Sequence, residues 1–151
     1  MPIVVPDKFT RPEHLVEYLA DLLENSMLPF SFVGRYEETL YPSYPAVLVQ
    51  PGNFQKDLHG TATFLVTLRA TLFIMHADLT QSKRTRSLED CLLATQTIQL
   101  IEGNDLTLGG HVIQGHVESD VFAPLPPRSA QSPAVISTRL QWQGITETRF
   151  K

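Results

Sequence analysis

The longest alternation of apolar and polar residues in the chain runs from Thr61 to Ala77, over seventeen residues. No glycine, proline, asparagine or acidic residue interrupts it. At a side-chain period of two, its even-numbered residues fall on one face of a strand. From position 64 to position 74 these residues are all apolar: Phe64, Val66, Leu68, Ala70, Leu72 and Ile74. The pattern predicts a long central β-strand with this face in the core. The run exceeds an ordinary strand, so we expect part of it to bend, bulge or project.

The opposite face of this predicted strand changes character along its length. It is polar in its middle, around Arg69, while Leu65, Phe73 and Met75 are apolar. Apolar side chains that cluster on an exposed surface usually mark a protein interface. We therefore expect Leu65, Phe73 and Met75 to be exposed and to lie at a contact between subunits.

A first helix is predicted from about Arg11 to Asn25. Thr10 and Glu13 have the spacing of a capping box at its start. Apolar residues recur at helical spacing along one side, and the other side is acidic. We interpret the acidic side as solvated; it consists of Glu13, Glu17, Asp21 and Glu24.

A second helix is predicted from about Ser87 to Gly103, because apolar residues again recur at intervals of three and four. Its buried side is indicated by Leu88, Leu92, Thr95 or Cys91, Ile98 and Ile101. Cys91 is assigned to the same side, where a cysteine usually behaves as a small buried hydrophobic residue. Few charges lie on this segment, so we expect it to be more buried than the first helix.

Shorter runs predict the remaining strands. An edge segment is expected around Phe32 to Tyr36, with strands at 46–50, 112–123 and 134–143. Segment 124–133 contains four prolines and is interpreted as a stiff loop, and 144–151 as a polar tail. The order of elements predicts an α+β fold: one mainly antiparallel sheet, with two helices packed on one face and a hairpin that contains the long central strand.

Composition fits one domain over residues 1–151, with 42% apolar residues and no internal repeat. The formal net charge is −4 and no run of five like charges occurs, so nothing predicts a nucleic-acid patch or a polybasic membrane anchor. No apolar run reaches the length of a membrane span, and the N-terminal residues lack the pattern of a signal peptide. The single cysteine excludes an internal disulfide.

The candidates for chemistry are weak. His111 and His116 are five residues apart, so on a strand they would point to opposite faces and could not chelate one ion. By alternation His116, Glu118 and Asp120 share a face and could hold a divalent ion weakly, but a solvated strand face is the preferred interpretation. No serine elbow or phosphate-binding glycine loop is present. We expect no catalytic residue, no cofactor and no metal.

The order and size of these segments resemble the tail terminator, or tail completion, proteins of long-tailed bacteriophages. The segments that carry the resemblance are HLVEYLADLLENS, YPAVLVQPG, TFLVTLRATLFIMH, SLEDCLLATQTIQLI and ISTRLQWQG, in that order. Together they cover nearly the whole chain. The similarity is strongest at Tyr44-Pro45-Ala46-Val47, which leads into a strand before the long alternating run.

The resemblance implies a non-catalytic virion protein at the head-proximal end of the tail, present in the bacterial cytoplasm during assembly. It implies a homo-hexameric ring that caps the tube formed by the tail tube protein, stops its polymerisation and docks the head connector, or stopper, protein. Double-stranded DNA would only pass through the ring. We assign His116, Glu118 and Asp120 to its lumen, because an acidic lining does not grip phosphates.

Two other interpretations remain open. The chain could be a small α+β domain that binds a ligand or peptide without catalysis, or another phage neck or tail connector protein. An enzyme would require paired titratable groups in a cleft, and the sequence indicates no such pair.

Overall fold

A computed structural model of the chain describes residues 7–36, 45–76, 83–103, 106–125 and 135–149. These residues form two helices and six strands. Their order is α1 (Pro12–Glu24), β1 (Phe32–Arg35), β2 (Ala46–Pro51), β3 (Gln55–Leu58), β4 (Thr63–His76), α2 (Lys83–Glu102), β5 (Gln114–Leu125) and β6 (Val135–Arg149). The fold is α+β, as the sequence predicts.

The six strands form one sheet in the order β1-β2-β4-β6-β5, and β3 also pairs with β4. β1 and β2 are parallel, and the other pairs are antiparallel. The central strand β4 has 14 residues and pairs with β6 along its whole length, from Thr63 opposite Arg149 to His76 opposite Ile136. The predicted long central strand is confirmed, with slightly shorter bounds.

The even-numbered side of β4 lies in the core, as predicted. Phe64 is half-buried, and the other five are buried: Val66, Leu68, Ala70, Leu72 and Ile74. The same cluster contains Leu15 and Leu19 of α1 together with Leu93 and Ile101 of α2. One cluster therefore joins both helices to the predicted core residues of β4. The packing of both helices on one face of the sheet stays a prediction.

β6 is longer than the sequence predicts, because residues 144–149 continue the ladder with β4. The interpretation of this segment as a polar tail is wrong. Gly144 lies opposite Gly115 of β5, and a Cβ atom at either glycine would stand 2.1 Å from a ring carbon of Trp142. The indole ring therefore lies directly against both glycines, which no larger residue could replace without displacing it.

The start of α1 differs from the prediction. Its N-cap residue is Arg11, and no side chain caps the helix. The predicted capping box is therefore wrong. The backbone N–H of Thr10 instead donates a hydrogen bond to His14 Nδ1 at 3.2 Å. Pro12 in the first turn needs no hydrogen-bond partner for its nitrogen, which favours a helix start at this position.

The acidic side of α1 is not merely solvated. Arg35 of β1 forms ion pairs with Glu17, with Asp21 at 2.6 Å and with Glu24 at 3.0 Å. The Tyr36 hydroxyl donates to Glu17 Oε1 at 2.9 Å. These bonds attach α1 to the edge strand of the sheet.

α2 begins at Lys83 and buries only part of the predicted side: Ile101 is buried and Ile98 is half-buried, as predicted, but the residues nearer the start are not. Leu88 is 58% exposed, Leu92 is 55% exposed, and Cys91 is also exposed. The buried side contains polar residues together with apolar ones: Asp90, Leu93, Ala94, Thr97 and Ile101. The prediction fails because Asp90 accepts a hydrogen bond from Thr138 at 2.6 Å, so a carboxyl group is satisfied inside the core.

β5 extends into the predicted proline-rich loop, since Pro124 pairs with Ile136. Proline is tolerated at this position because β5 is an edge strand of the described sheet. Residues 126–133, the rest of the predicted loop, lie outside the described residues.

Candidate functional site

The strands β2 and β3 pair with the same side of β4 in two different registers. Pro51 lies opposite Ala70, and Gln55 lies opposite Thr67. Residues 52–54 therefore oppose only positions 68–69 of β4, which defines a one-residue β-bulge. Within it the Gly52 N–H donates to the Arg69 carbonyl at 2.8 Å, and a Cβ on Gly52 would stand 2.8 Å from Arg69 Cβ. The close approach requires glycine.

β5 contains a second bulge. Val117 lies opposite Trp142 and Ser119 lies opposite Gln141, so Glu118 is the additional residue. The Val117 N–H donates to Glu102 Oε1 at 2.5 Å. Glu102 is the last residue of α2, so the end of this helix holds the bulge in place.

The two bulges lie at the same level of the sheet. Ala70 is opposite Pro51 on one side and Trp142 on the other, and Trp142 is opposite Val117. One row across four strands therefore joins the two bulges. Bulges bend strands and increase their twist. A cavity of about 380 Å³ lies at this point, lined by Gly52, Asn53, Arg69, Ala70, Thr71, Glu118, Gln141, Trp142 and Gln143.

The charged groups of this cavity are one arginine and one glutamate. Arg69 is half-buried, and its Nε donates to Gln143 Oε1 at 3.1 Å. Its two terminal nitrogens have no protein partner among the described residues. Glu118 is exposed and forms no ion pair with Arg69 or with any other described residue. The cavity thus presents a positive and a negative group that are not paired with each other.

The second bulge separates the predicted lumen residues. His116 lies opposite Gln143, whereas Asp120 lies opposite Leu140. Gln143 and Leu140 are three residues apart on β6 and so belong to its opposite faces. The expectation that His116, Glu118 and Asp120 form one stripe is therefore wrong. Glu118 lines the cavity, His116 is exposed beside it, and the side chain of Asp120 lies outside the described part. Their assignment to a lumen stays a prediction.

The expectation that Leu65, Phe73 and Met75 are all exposed is also wrong. Met75 is 3% exposed and packs in a small cluster with Ala46 and Leu48, residues of the adjacent strand β2. Phe73 is half-buried against the same cluster. Leu65 is half-buried between the cross-strand neighbours Asp57 and Glu147. Their role in a subunit contact stays a prediction.

β3 is a further exposed feature that the sequence did not predict. All four of its residues are exposed, including Leu58 at 67%. The bond from the His59 N–H to the Thr63 carbonyl fixes the hydrogen-bonding pattern of this ladder. By alternation, the N–H and C=O groups of Lys56 and Leu58 point away from β4, to the outer edge of the sheet.

The sequence does not indicate that Arg69 and the first bulge form a site. Pro51, Gly52 and Asn53 have the composition of a turn, so the residue pattern alone predicts a loop here and not a bulge. A glycine directly after an apolar strand is also typical of a bulge, which is the signal that could have indicated this position.

No protein-family model and no curated protein matches the chain. Among the solved structures that align with the chain, one aligns with 86% of this chain and 89% of its own at 13% identity, with a TM-score of 0.35. A similarity this low carries no argument about function. Neither described helix is long and apolar enough to cross a membrane. In the described part of the chain, no three His, Cys, Asp or Glu residues cluster as metal ligands.

Proposed function

We propose that the chain is a structural subunit of a long-tailed bacteriophage, which forms a ring with copies of itself at the head-proximal end of the tail. The ring would cap the tail tube, stop its polymerisation and provide the docking surface for the head connector. The proposal rests on the resemblance of the sequence, and the exposed edge of β3 is the structural observation that supports it best.

An exposed strand edge is a template for pairing with another chain. The outward main-chain groups of Lys56 and Leu58 have no described partner strand, and the Leu58 side chain is largely exposed beside them. Repeated contacts between different surfaces of identical subunits close into a ring when the rotation between them allows it. The edge of β3 would be one of the two surfaces in such a contact.

The outward side of α2 also supports assembly. Leu88, Cys91 and Leu92 lie three and four residues apart and are exposed. Thr95, Gln96 and Gln99 continue this exposed side without a charge. The centres of protein interfaces are depleted in charged residues, and this side of the helix has that character.

Sedimentation velocity of the purified chain, alone and mixed with phage tail tubes, tests the proposal. We expect a species of about six copies, or a monomer that assembles only on tube ends, where negative-stain images would show a terminal ring. Leu58→Pro should weaken assembly, because it removes an outward N–H and leaves the bonds between β3 and β4 intact.

Leu58→Thr is the matched control, since it keeps the N–H and removes the apolar side chain. Assembly in L58T with loss of assembly in L58P would assign the contact to the main-chain edge. A chain that stays monomeric, or forms only a tight dimer, with and without tubes would contradict the proposed function.

One observation favours a second function, that of a small ligand-binding domain. The cavity between the bulges contains unpaired charged groups, which a structural subunit does not require. A monomer that binds a small molecule at this cavity would support this alternative over the ring.

A further inference from the structure

The terminal nitrogens of Arg69 determine what the cavity can bind. Arg69 is half-buried on the central strand, and its Nε bond to Gln143 fixes the plane of the guanidinium group. Two terminal nitrogens remain available in a fixed geometry. A guanidinium group with two parallel N–H groups available matches a carboxylate, which it binds through a bidentate pair of hydrogen bonds.

Glu118 restricts the ligand further. It lies on β5, two strands away from Arg69, which corresponds to about 10 Å across the sheet at the usual strand spacing. A phosphate dianion between these residues would be attracted by Arg69 and repelled by Glu118. A molecule that carries an anionic group near Arg69 and a cationic group near Glu118 satisfies both charges.

Uncharged polar groups line the rest of the cavity, and Gln143 on β6 lies between the two charged residues. The Gln143 carbonyl oxygen accepts from Arg69, so its amide N–H groups point elsewhere. Asn53, Thr71 and the backbone of the Gly52 bulge line the same cavity. These groups can hydrogen-bond to a small polar molecule without adding net charge.

We propose that this cavity binds a small dipolar molecule of the α-amino acid class, with its carboxylate on Arg69 and its ammonium group on Glu118. The two bulges lie on either side of the site at one level of the sheet, one between β2 and β3 next to Arg69 and the other at Glu118 on β5. The inference goes beyond the ring function and does not depend on it, since all the groups belong to one chain.

NMR titration of the full-length chain tests this site with three matched probes. L-alanine carries both charges, propionate carries only the carboxylate, and ethylammonium carries only the cation. We expect L-alanine to shift the side-chain amide signals of Gln143 and the backbone signals of Gly52 and Glu118, with at least about tenfold higher affinity than either of the other probes.

Variants assign the two charges. Arg69→Gln should abolish the response to L-alanine and propionate, while Glu118→Gln should weaken L-alanine binding about tenfold, to the level of propionate. Arg139→Gln and Glu147→Gln are matched controls because both residues are exposed on β6 and neither lines the cavity. They should leave the titration unchanged.

Three results would overturn the site. They are the absence of localised shifts with L-alanine, an equal affinity for L-alanine and propionate, and unchanged L-alanine binding in R69Q. If R69Q does not fold, Arg69→Lys replaces it, since lysine keeps the charge but loses the bidentate geometry. Tight L-alanine binding by R69K would then contradict the role of the guanidinium group.

Discussion

Three buried side chains, two threonines and one tryptophan, differ in whether their polar atoms form hydrogen bonds. Trp142 Nε1 and Thr146 Oγ1 are buried without a hydrogen-bond partner among the described residues. The equally buried Thr138 donates to Asp90 Oδ2 at 2.6 Å. A buried polar group without a partner opposes folding, while a satisfied one supports it. The same substitution at the two threonines should therefore have opposite effects.

Thr146→Val should increase the free energy of unfolding by about 1 kcal/mol, because it replaces an unsatisfied hydroxyl by a methyl group of similar size. Thr138→Val should decrease it by about 1–3 kcal/mol, because Asp90 loses a buried donor. Urea denaturation of both variants measures the difference. Equal destabilisation by the two substitutions would show that the Thr146 hydroxyl has a partner in solution.

The contact between Trp142 and its two glycines gives a second prediction at this scale. Gly144→Ala should destabilise the protein by about 1–3 kcal/mol, because the new methyl group would overlap the indole ring. In a Trp142→Phe background the smaller ring leaves room, and the additional effect of G144A should be much smaller. A double-mutant cycle by urea denaturation measures this coupling. Additive effects would mean that the methyl group and the ring do not meet.

At the scale of elements, α1 is attached to β1 in part through Tyr36, the residue that follows β1, and the backbone of Tyr36 has an unusual conformation. Tyr36 has φ = 62°, in the left-handed region that few residues other than glycine adopt. Its N–H donates to the Val49 carbonyl at 2.7 Å, and its hydroxyl donates to Glu17. Burial, followed by this hydrogen bond to Glu17, raises the pKa of Tyr36 to about 12. Hydrogen bonds from both the backbone N–H and the side-chain hydroxyl of Tyr36 stabilise this conformation.

This pKa predicts a loss of stability at high pH. Between pH 10, the ordinary tyrosine value, and about 12, the folded state retains the Tyr36 proton while the unfolded state releases its own. The free energy of unfolding should therefore fall as pH rises through this window. Tyr36→Phe should reduce this dependence, measured by urea denaturation at several pH values. A pH profile that is unchanged in Y36F would contradict the shift.

The sequence predicted the position of a strand well where a single pattern of apolar residues determined it. β4 and its buried face follow directly from the even-numbered apolar residues, and β2 follows from a short apolar run. For α2 the sequence predicted the helix and the burial of Ile101. It did not predict that Leu88 and Leu92 are exposed while the polar residues Asp90 and Thr97 are buried. Hydrophobic periodicity cannot detect polar residues that find hydrogen bonds in the core.

Only part of the candidate site could be predicted from the sequence, because the rest depends on how the strands pair. The sequence indicates the polar character of Glu118 and of the middle of β4, but the bulges at Gly52 and Glu118 shift the register by one residue each. A one-residue shift exchanges the faces of all residues that follow it. The stripe of His116, Glu118 and Asp120 was predicted for a regular strand, and the irregularity arises from pairing with β6.

At the scale of the whole molecule, net charge limits what a ring of these subunits could do. Six copies of a chain with formal net charge −4 would together carry −24. A ring of this charge would not hold duplex DNA, since stable binding requires basic side chains that neutralise phosphates. Such a ring would suit passage of DNA better than its retention.

Reversal of the acidic residue Glu118 in β5 tests the lumen assignment at this scale. The substitution Glu118→Lys should slow DNA passage and reduce phage infectivity at least about tenfold, because lysines from all copies in the ring attract phosphates. Rings of unchanged size in sedimentation velocity would show that assembly is intact. Arg139→Glu is a control on the adjacent strand. Normal infectivity of E118K would contradict the lumen assignment.

The exposed position of Cys91 has a practical consequence for such experiments. It is the single cysteine of the chain and lies on the outward side of α2. A maleimide fluorophore would therefore attach at one defined position without any engineered mutation. If neighbouring molecules cover that side of the helix, the emission spectrum and the anisotropy of the dye would change together, and both could be followed in real time.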